Sequence, residues 1–418
     1  MPFPYRRTQI GPLLERLDEP PAHLIIVAGP RQVGKTALVQ QALADCRKDW
    51  VYWAVDNPVH GTGTEASETV ARAPGRPLDA EWLVEKWIAA REFARKSDKG
   101  FVLAFDEIQK IPRWSEVVKG LWDADRAAEL NMHVVLLGSS PLLMQRGMTE
   151  SLAGRFDLIR LTHWSFLEMY EAFQYSLEDY MYFGGYPGSE QYIRKKESDW
   201  RNFVLSSLIQ PSIELDILMM TRIDKPALLK QAFELGCAHS GQIMSFTKML
   251  GHLHDAGNTV TLAHYLALLE RAGLLVGLHK YSGQAHRQRS SSPKLNVLNP
   301  CLMAVHSGYT KAEALADRTY WGHHVESVVG AHLYNSGTPE VSGDYWRESA
   351  HEVVFVIEKG SRLTAIEVKS GATMRRISGL VEFQRRYPHA TCLIVGTGGI
   401  EFTEFLSHPA EHWLGQGR

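Results

Sequence analysis

The chain has 418 residues, 44% of them hydrophobic, which is enough to fill the cores of two or three domains. Its 45 basic and 47 acidic residues leave a net charge of −2, so the protein is no polycation and any nucleic-acid surface has to be a local patch. Cys46, Cys237, Cys301 and Cys392 are far apart and form no C-x-x-C pair, which argues against a structural zinc site and for reduced thiols. No apolar run reaches about 18 residues, and Arg6-Arg7 precede no apolar core. Neither a membrane span nor a signal peptide is expected, and the expected compartment is the cytoplasm.

The first predicted element is an apolar strand from Leu24 to Ala28, running straight into Gly29-Pro30-Arg31-Gln32-Val33-Gly34-Lys35-Thr36. This is the G-x-x-x-x-G-K-T pattern of a phosphate-binding loop. Gly29 and Gly34 are expected to permit the backbone angles that turn successive N–H groups inward. Lys35 would reach the β- and γ-phosphates of ATP, and the Thr36 hydroxyl would ligate Mg²⁺. Residues 37 to 44 suit a helix whose positive N-terminus faces the phosphates. From Asn57 to Pro77, glycine, threonine, alanine and proline predict a surface loop.

A second apolar strand, from Phe101, ends in Asp106-Glu107-Ile108, as a Walker B strand does. Asp106 would hold Mg²⁺ and Glu107 would polarise the attacking water, with strand alternation expected to point the two carboxylates at different targets. A third strand, His133 to Leu137, ends in Gly138-Ser139-Ser140. Ser139 or Ser140 would contact the γ-phosphate or the attacking water there, or make an ordinary turn or helix cap. After Ser151-Leu152-Ala153-Gly154 comes Arg155, a candidate to stabilise charge on the transferred phosphoryl in its own subunit or a neighbour's, or a plain surface ion pair. Strands and helices alternate to about Leu161, which predicts a mainly parallel sheet covered by helices.

Residues 164 to 225, rich in aromatics and leucine with a Gly-Gly-Tyr-Pro break at 184 to 187, read as a helical lid and connector. Helices are expected at Pro226–Leu235, Ser245–Asp255 and Thr261–Ala272, then a strand over 273 to 278. Three helices and a hairpin make a winged helix-turn-helix with Thr261–Ala272 as recognition helix. Its exposed face is expected to offer little beyond His264, Tyr265, Glu270 and Arg271. Lys280, Arg287, Arg289 and Lys294 lie just beyond, where a basic segment at 280 to 294 could meet DNA phosphates; a protein-contacting wing or a solvated loop would look the same. The expected partition is 1–163, 164–225, 226–293 and 294–418.

The phosphate loop, Asp106-Glu107-Ile108-Gln109-Lys110-Ile111-Pro112, the Ser-Leu-Ala-Gly-Arg run and Trp164-Ser165-Phe166-Leu167-Glu168 together resemble a prokaryotic AAA+-type P-loop ATPase family. The resemblance covers nearly the whole chain, including Phe183-Gly184-Gly185-Tyr186-Pro187 and Gly257-Asn258-Thr259. It implies an α/β ATPase core with a helical lid, and a C-terminal module of unknown function similar to the PD-(D/E)XK restriction-endonuclease-like fold. It also implies homo-oligomers in which an arginine finger can come from a partner subunit.

Such nuclease folds hold a divalent metal with an acid on a first helix, an aspartate on one strand and a glutamate two residues before a lysine on the next. This chain offers Glu326, Glu367 and Lys369, but has Val354 where the aspartate is expected. Glu352 lies two residues away on what alternation makes the same face, about 6–7 Å along the strand. The module is therefore expected to be degenerate. The favoured expectation is an ATP-hydrolysing switch or remodeller, with DNA a candidate partner; the rival is an ATP-gated nuclease.

Overall fold

The computed structural model describes residues 5–55, 62–63, 79–138, 151–218, 223, 225–254, 257–282, 291–371 and 377–415. The chain divides into two compact units, Met1–Leu161 and Thr162–Arg418.

The first unit is built on a six-stranded sheet of order β3-β2-β4-β5-β1-β6. Its strands are β1 (Leu24–Ala28), β2 (Asp49–Ala54), β3 (Thr62–Gly63), β4 (Phe101–Asp106), β5 (Met132–Gly138) and β6 (Phe156–Arg160). All pairs are parallel except the short β2–β3 edge. Strands β1, β4 and β5 are buried throughout, as strands covered on both faces must be. Because successive side chains point to opposite faces, Ile25 and Val27 join one core with Leu38, Val39 and Ala42 of helix α2 (Lys35–Asp45). Leu24, Ile26 and Ala28 join the other, with Trp82 and Trp87 of α3 (Ala80–Lys96) and Trp114 and Trp122 of α4 (Trp114–Ala127). The parallel strands thus deliver the carboxyl ends of β1 and β4 to the same edge.

In the second unit, residues expected as a separate lid and connector are part of the larger body. Asn299 makes one tie to them, at Gly185. Its side-chain oxygen accepts from the backbone of Gly185 (3.2 Å) and Cys301 (3.3 Å), and its amide lies 3.2 Å from the His163 ring. Helices Pro226–Ala238, Phe246–His252 and Thr259–Arg271 precede an antiparallel hairpin of β7 (Leu275–Leu278) and β8 (Lys294–Val297). The expected boundary between 293 and 294 is therefore misplaced, because it cuts the hairpin. The pairing of β8 with β7 is not visible in a linear sequence.

The C-terminal part runs helix Arg318–Ser336, β9 (Ser342–Glu348), β10 (His351–Lys359), β11 (Arg362–Lys369), helix Ser378–Arg386 and β12 (Thr391–Gly396). The sheet order is β12-β11-β10-β9, antiparallel except for the β11–β12 pair. The Ser378–Arg386 helix packs Leu380 and Phe383 on Trp346, Val353 and Val356. Within β10, Val353 pairs with Trp346 and Val356 with Asp344, so a β-bulge interrupts the ladder. Val353 and Val356 consequently share one core although they are an odd number of residues apart.

Candidate functional site

At the carboxyl end of β1 the chain turns through Gln32 (φ 56°) and Gly34 (φ 90°) into α2. Left-handed backbone is cheap for glycine and costs roughly 1–2 kcal/mol for other residues. Gly29, expected to share this turning role, is not among the residues with positive φ. Its constraint is one of space: a Cβ there would sit 2.2 Å from the Leu161 carbonyl oxygen, where β6 runs beside the loop. The N-terminus of α2, at Lys35, follows directly on this loop and has no side-chain cap.

Lys35 is buried, and its ammonium donates to the carbonyls of Gly29 (3.0 Å) and Pro30 (2.7 Å). Arg7, seen in the sequence only as half of a basic pair, is buried too and donates to the Val33 carbonyl at 3.0 Å. The Thr36 hydroxyl donates to Asp106 Oδ2 at 2.6 Å. Loop and second strand, 70 positions apart in sequence, thus meet through one hydrogen bond. The buried Tyr52 phenol, from the neighbouring β2, donates to the same oxygen, and Glu107 N–H donates to Oδ1 at 2.9 Å. Tyr52 was missed because only the parallel β2–β4 pairing brings it there, and strand pairing is not local.

Glu107 corrects a second expectation. Strand alternation does not orient it, because β4 ends at Asp106 and Glu107 has φ 57°, ψ 35°. The left-handed turn redirects its side chain, and Gln109 Nε2 donates to its Oε2 at 2.7 Å, with Lys110 Nζ 3.9 Å away. A non-glycine residue held left-handed beside a nucleotide loop is the kind of strain that collects at working sites.

Arg155 is in the wrong place to serve its own chain. Its backbone oxygen bonds Leu24 N, and Leu24 pairs with Phe156, so it lies at the amino end of β1 while the loop leaves the carboxyl end. The strand between them spans roughly 16 Å. Its guanidinium forms a bidentate pair with Asp123 on α4 (2.8 and 3.1 Å) on the surface. Ser139 and Ser140 lie outside the described residues, as do Arg287, Arg289 and most of the 57–77 segment.

Residues 21–170 match the model of an AAA domain. Residues 174–313 and 321–405 match two models that are each described as a domain of unknown function, DUF8612 and DUF4143. No curated protein matches the chain. Among solved structures, the Thermotoga maritima RuvB Holliday junction branch migration motor is similar at 15% identity and TM-score 0.32, over 65% of this chain and 89% of RuvB. The Aeropyrum pernix Orc1 protein in complex with DNA is similar at 12% identity and TM-score 0.29, over 75% and 94%. AMPPCP-bound DnaA from Aquifex aeolicus is similar at 14% identity and TM-score 0.31, over 62% and 86%.

The second unit holds the other expected site. Tyr265, expected on the exposed face of the Thr259–Arg271 helix, is buried, and Glu270 accepts from Tyr334. The helix turns its apolar side inward at Leu262, Tyr265, Leu266 and Leu269, so that face offers less for base contacts than the sequence suggested. Lys294, expected to meet phosphates, is completely buried on β8. Its Nζ lies 3.7 Å from Glu326 Oε2 and 3.7 Å from Glu352 Oε1. Lys369 pairs with Glu367 at 2.5 Å. Burial pushes the Glu326 carboxyl up from its ordinary value, Lys294 and His323 pull it down, and Glu367 and Glu352 push it up. The four expected residues are thus neighbours, but the bulge in β10 breaks the alternation that placed Glu352 and Val354 on one regular face. Among the described residues no group of three or more His, Cys, Asp and Glu side chains is spaced to hold a metal ion, and no helix is long and apolar enough to cross a membrane.

Proposed function

We propose that the protein binds ATP with Mg²⁺ and hydrolyses it, as a nucleotide-driven switch or remodeller. The observation that carries this reading is the Thr36–Asp106 hydrogen bond, which joins the phosphate loop to the acidic end of β4. A hydroxyl and a carboxylate are the hard oxygen donors that Mg²⁺ prefers, so the residues fit the ion. Bound there, Mg²⁺ would supply neutralising charge to the phosphates. Loop N–H groups between Gly29 and Thr36 would bind the phosphate oxygens, and Lys35 would exchange its carbonyl contacts for the β- and γ-phosphates. Glu107 would orient a water for attack, released from or steered by Gln109. Ser139 is proposed to contact the γ-phosphate.

Arg155 is proposed to act only in trans, on the site of a second copy, since its own loop lies at the other end of β1. The three helices and hairpin are proposed to work as a winged helix whose partner is DNA or protein; the burial of Tyr265 and Lys294 favours a protein-like face over base readout. The C-terminal αβββαβ order supports a restriction-endonuclease-like module without nuclease activity, because the position expected to carry aspartate holds Val354.

Phosphate release with and without duplex DNA, across salt concentrations, tests turnover and nucleic-acid coupling together. Lys35→Ala should abolish nucleotide binding, and Glu107→Gln should retain ATP while slowing hydrolysis at least 100-fold, the usual order for losing a general base. Wild-type turnover by Glu107→Gln would refute the assignment.

A further inference from the structure

Lys294 stands on β8 with no solvent exposure. Its backbone is fixed on both sides, by Leu278 across the hairpin and by a bridge to Ile243. Its side chain is enclosed as well. It donates to the Val354 carbonyl at 3.4 Å, lies 5.2 Å over the Phe355 ring, and faces Glu326 from the Arg318–Ser336 helix and Glu352 from β10.

Burying an ammonium alone costs several kcal/mol, so it persists only where opposite charge surrounds it. Both carboxylates stand at 3.7 Å, beyond the 2.7–2.9 Å or so of a charge-assisted hydrogen bond, so the cation is shared between them and not paired with one. Glu367 is near enough to push on Glu326, yet its own counter-charge is Lys369, at 2.5 Å. Around this pocket, then, Glu326, Glu352 and Glu367 meet Lys294 and Lys369, with His323 alongside.

A divalent ion in a carboxylate pocket does two things: it neutralises the acids and ties the helix to the sheet. Lys294 does both, from a third element. We propose that the Lys294 ammonium is a built-in cation that fills the carboxylate pocket between Glu326 and Glu352 and excludes divalent metal from it. The valine at position 354 fits this arrangement, because what the ammonium takes from that residue is its backbone carbonyl. The proposal rests on the reading of this module as catalytically silent and gives that silence a second cause besides the missing aspartate.

The test is Mn²⁺ binding, followed by electron paramagnetic resonance on the full chain without nucleotide. Native protein and Glu326→Gln should bind Mn²⁺ equally weakly, whereas Lys294→Met should gain one site per chain, at least tenfold tighter. Lys294→Met/Glu326→Gln should lose it again. A Glu326-dependent Mn²⁺ site in the native chain, or none gained by a folded Lys294→Met, overturns the proposal. If Lys294→Met does not fold, Glu326→Gln and Glu352→Gln decide: a shared cation predicts that each lowers the melting temperature by several degrees at pH 8, and unchanged melting in both refutes it. Incubation with linear, nicked and branched DNA in Mg²⁺ addresses the other reading separately. Cleavage that disappears in Glu367→Ala would end the claim of silence, while the Mn²⁺ titration still decides the role of Lys294.

Discussion

Asp106 receives hydrogen bonds from Thr36, Tyr52 and the Glu107 backbone, so both its oxygens are held by the protein's own donors. Thr36 and Asp106 were readable from motifs, since their chemistry dictates their spacing. Tyr52 was not, because nothing local marks a phenol on β2 as the neighbour of a carboxylate on β4. Its role is testable. Tyr52→Phe removes one donor to Oδ2 and leaves the ring packed, which should cost about 1 kcal/mol of stability. ATP affinity should be kept while the Mg²⁺ concentration for half-maximal turnover shifts about three- to tenfold; an unchanged Mg²⁺ titration would reduce Tyr52 to a packing residue. Glu107 shows the reverse case: its identity was legible, but its direction was not, because a left-handed φ replaces strand alternation as what aims the side chain.

At the scale of elements, the loop is held by a strand neighbour as much as by its own glycines. Gly29→Ala would push a methyl into the Leu161 carbonyl, an overpacking cost of roughly 1–3 kcal/mol. That should lower the melting temperature of the first unit by about 5 °C and weaken ATP binding. Gly34→Ala adds left-handed strain instead and should also impair binding. Arg155 separates two scales. As an exposed pair with Asp123 it contributes at most about 1 kcal/mol to stability, and Arg155→Ala should leave turnover of dilute, monomeric protein within twofold. If activity rises with protein concentration, mixing Arg155→Ala with Glu107→Gln should restore part of it; specific activity independent of concentration would remove the trans role.

The whole molecule carries a pH dependence in three buried histidines. His133 in the first unit and His324 and His332 in the second have pKa values lowered to about 4, burial being the largest cause in each. Each ring places Nε2 by a carbonyl oxygen, of Glu19, Met181 and His408 respectively, a contact the neutral ring makes as an N–H donor. Their folded values lie below the unfolded value of about 6.5, so the unfolded chain binds more protons between those limits. Their contribution to stability is therefore complete above pH 6.5 and is lost as pH falls toward 4. Thermal unfolding followed from pH 7 to 4 should show this decline. His324→Gln/His332→Gln should melt lower at pH 7 yet with a flatter pH dependence, and an unaltered slope would place the titration elsewhere.

The sequence by itself determined the glycine-rich loop after β1, the acidic end of β4 and the alternation of strands and helices to Leu161, because each is written in contiguous residues whose spacing the chemistry requires. Tertiary structure alone decided what depends on pairing between distant segments. It placed Arg155 at the far end of the sheet, made β8 part of a hairpin instead of the start of a module, and bulged β10 so that alternation failed. It also buried Lys294 between two glutamates, although in sequence this residue looked like one more basic residue of a loop. Side-chain chemistry is local, whereas register, burial and counter-charge are set by whichever strand or helix comes to lie alongside.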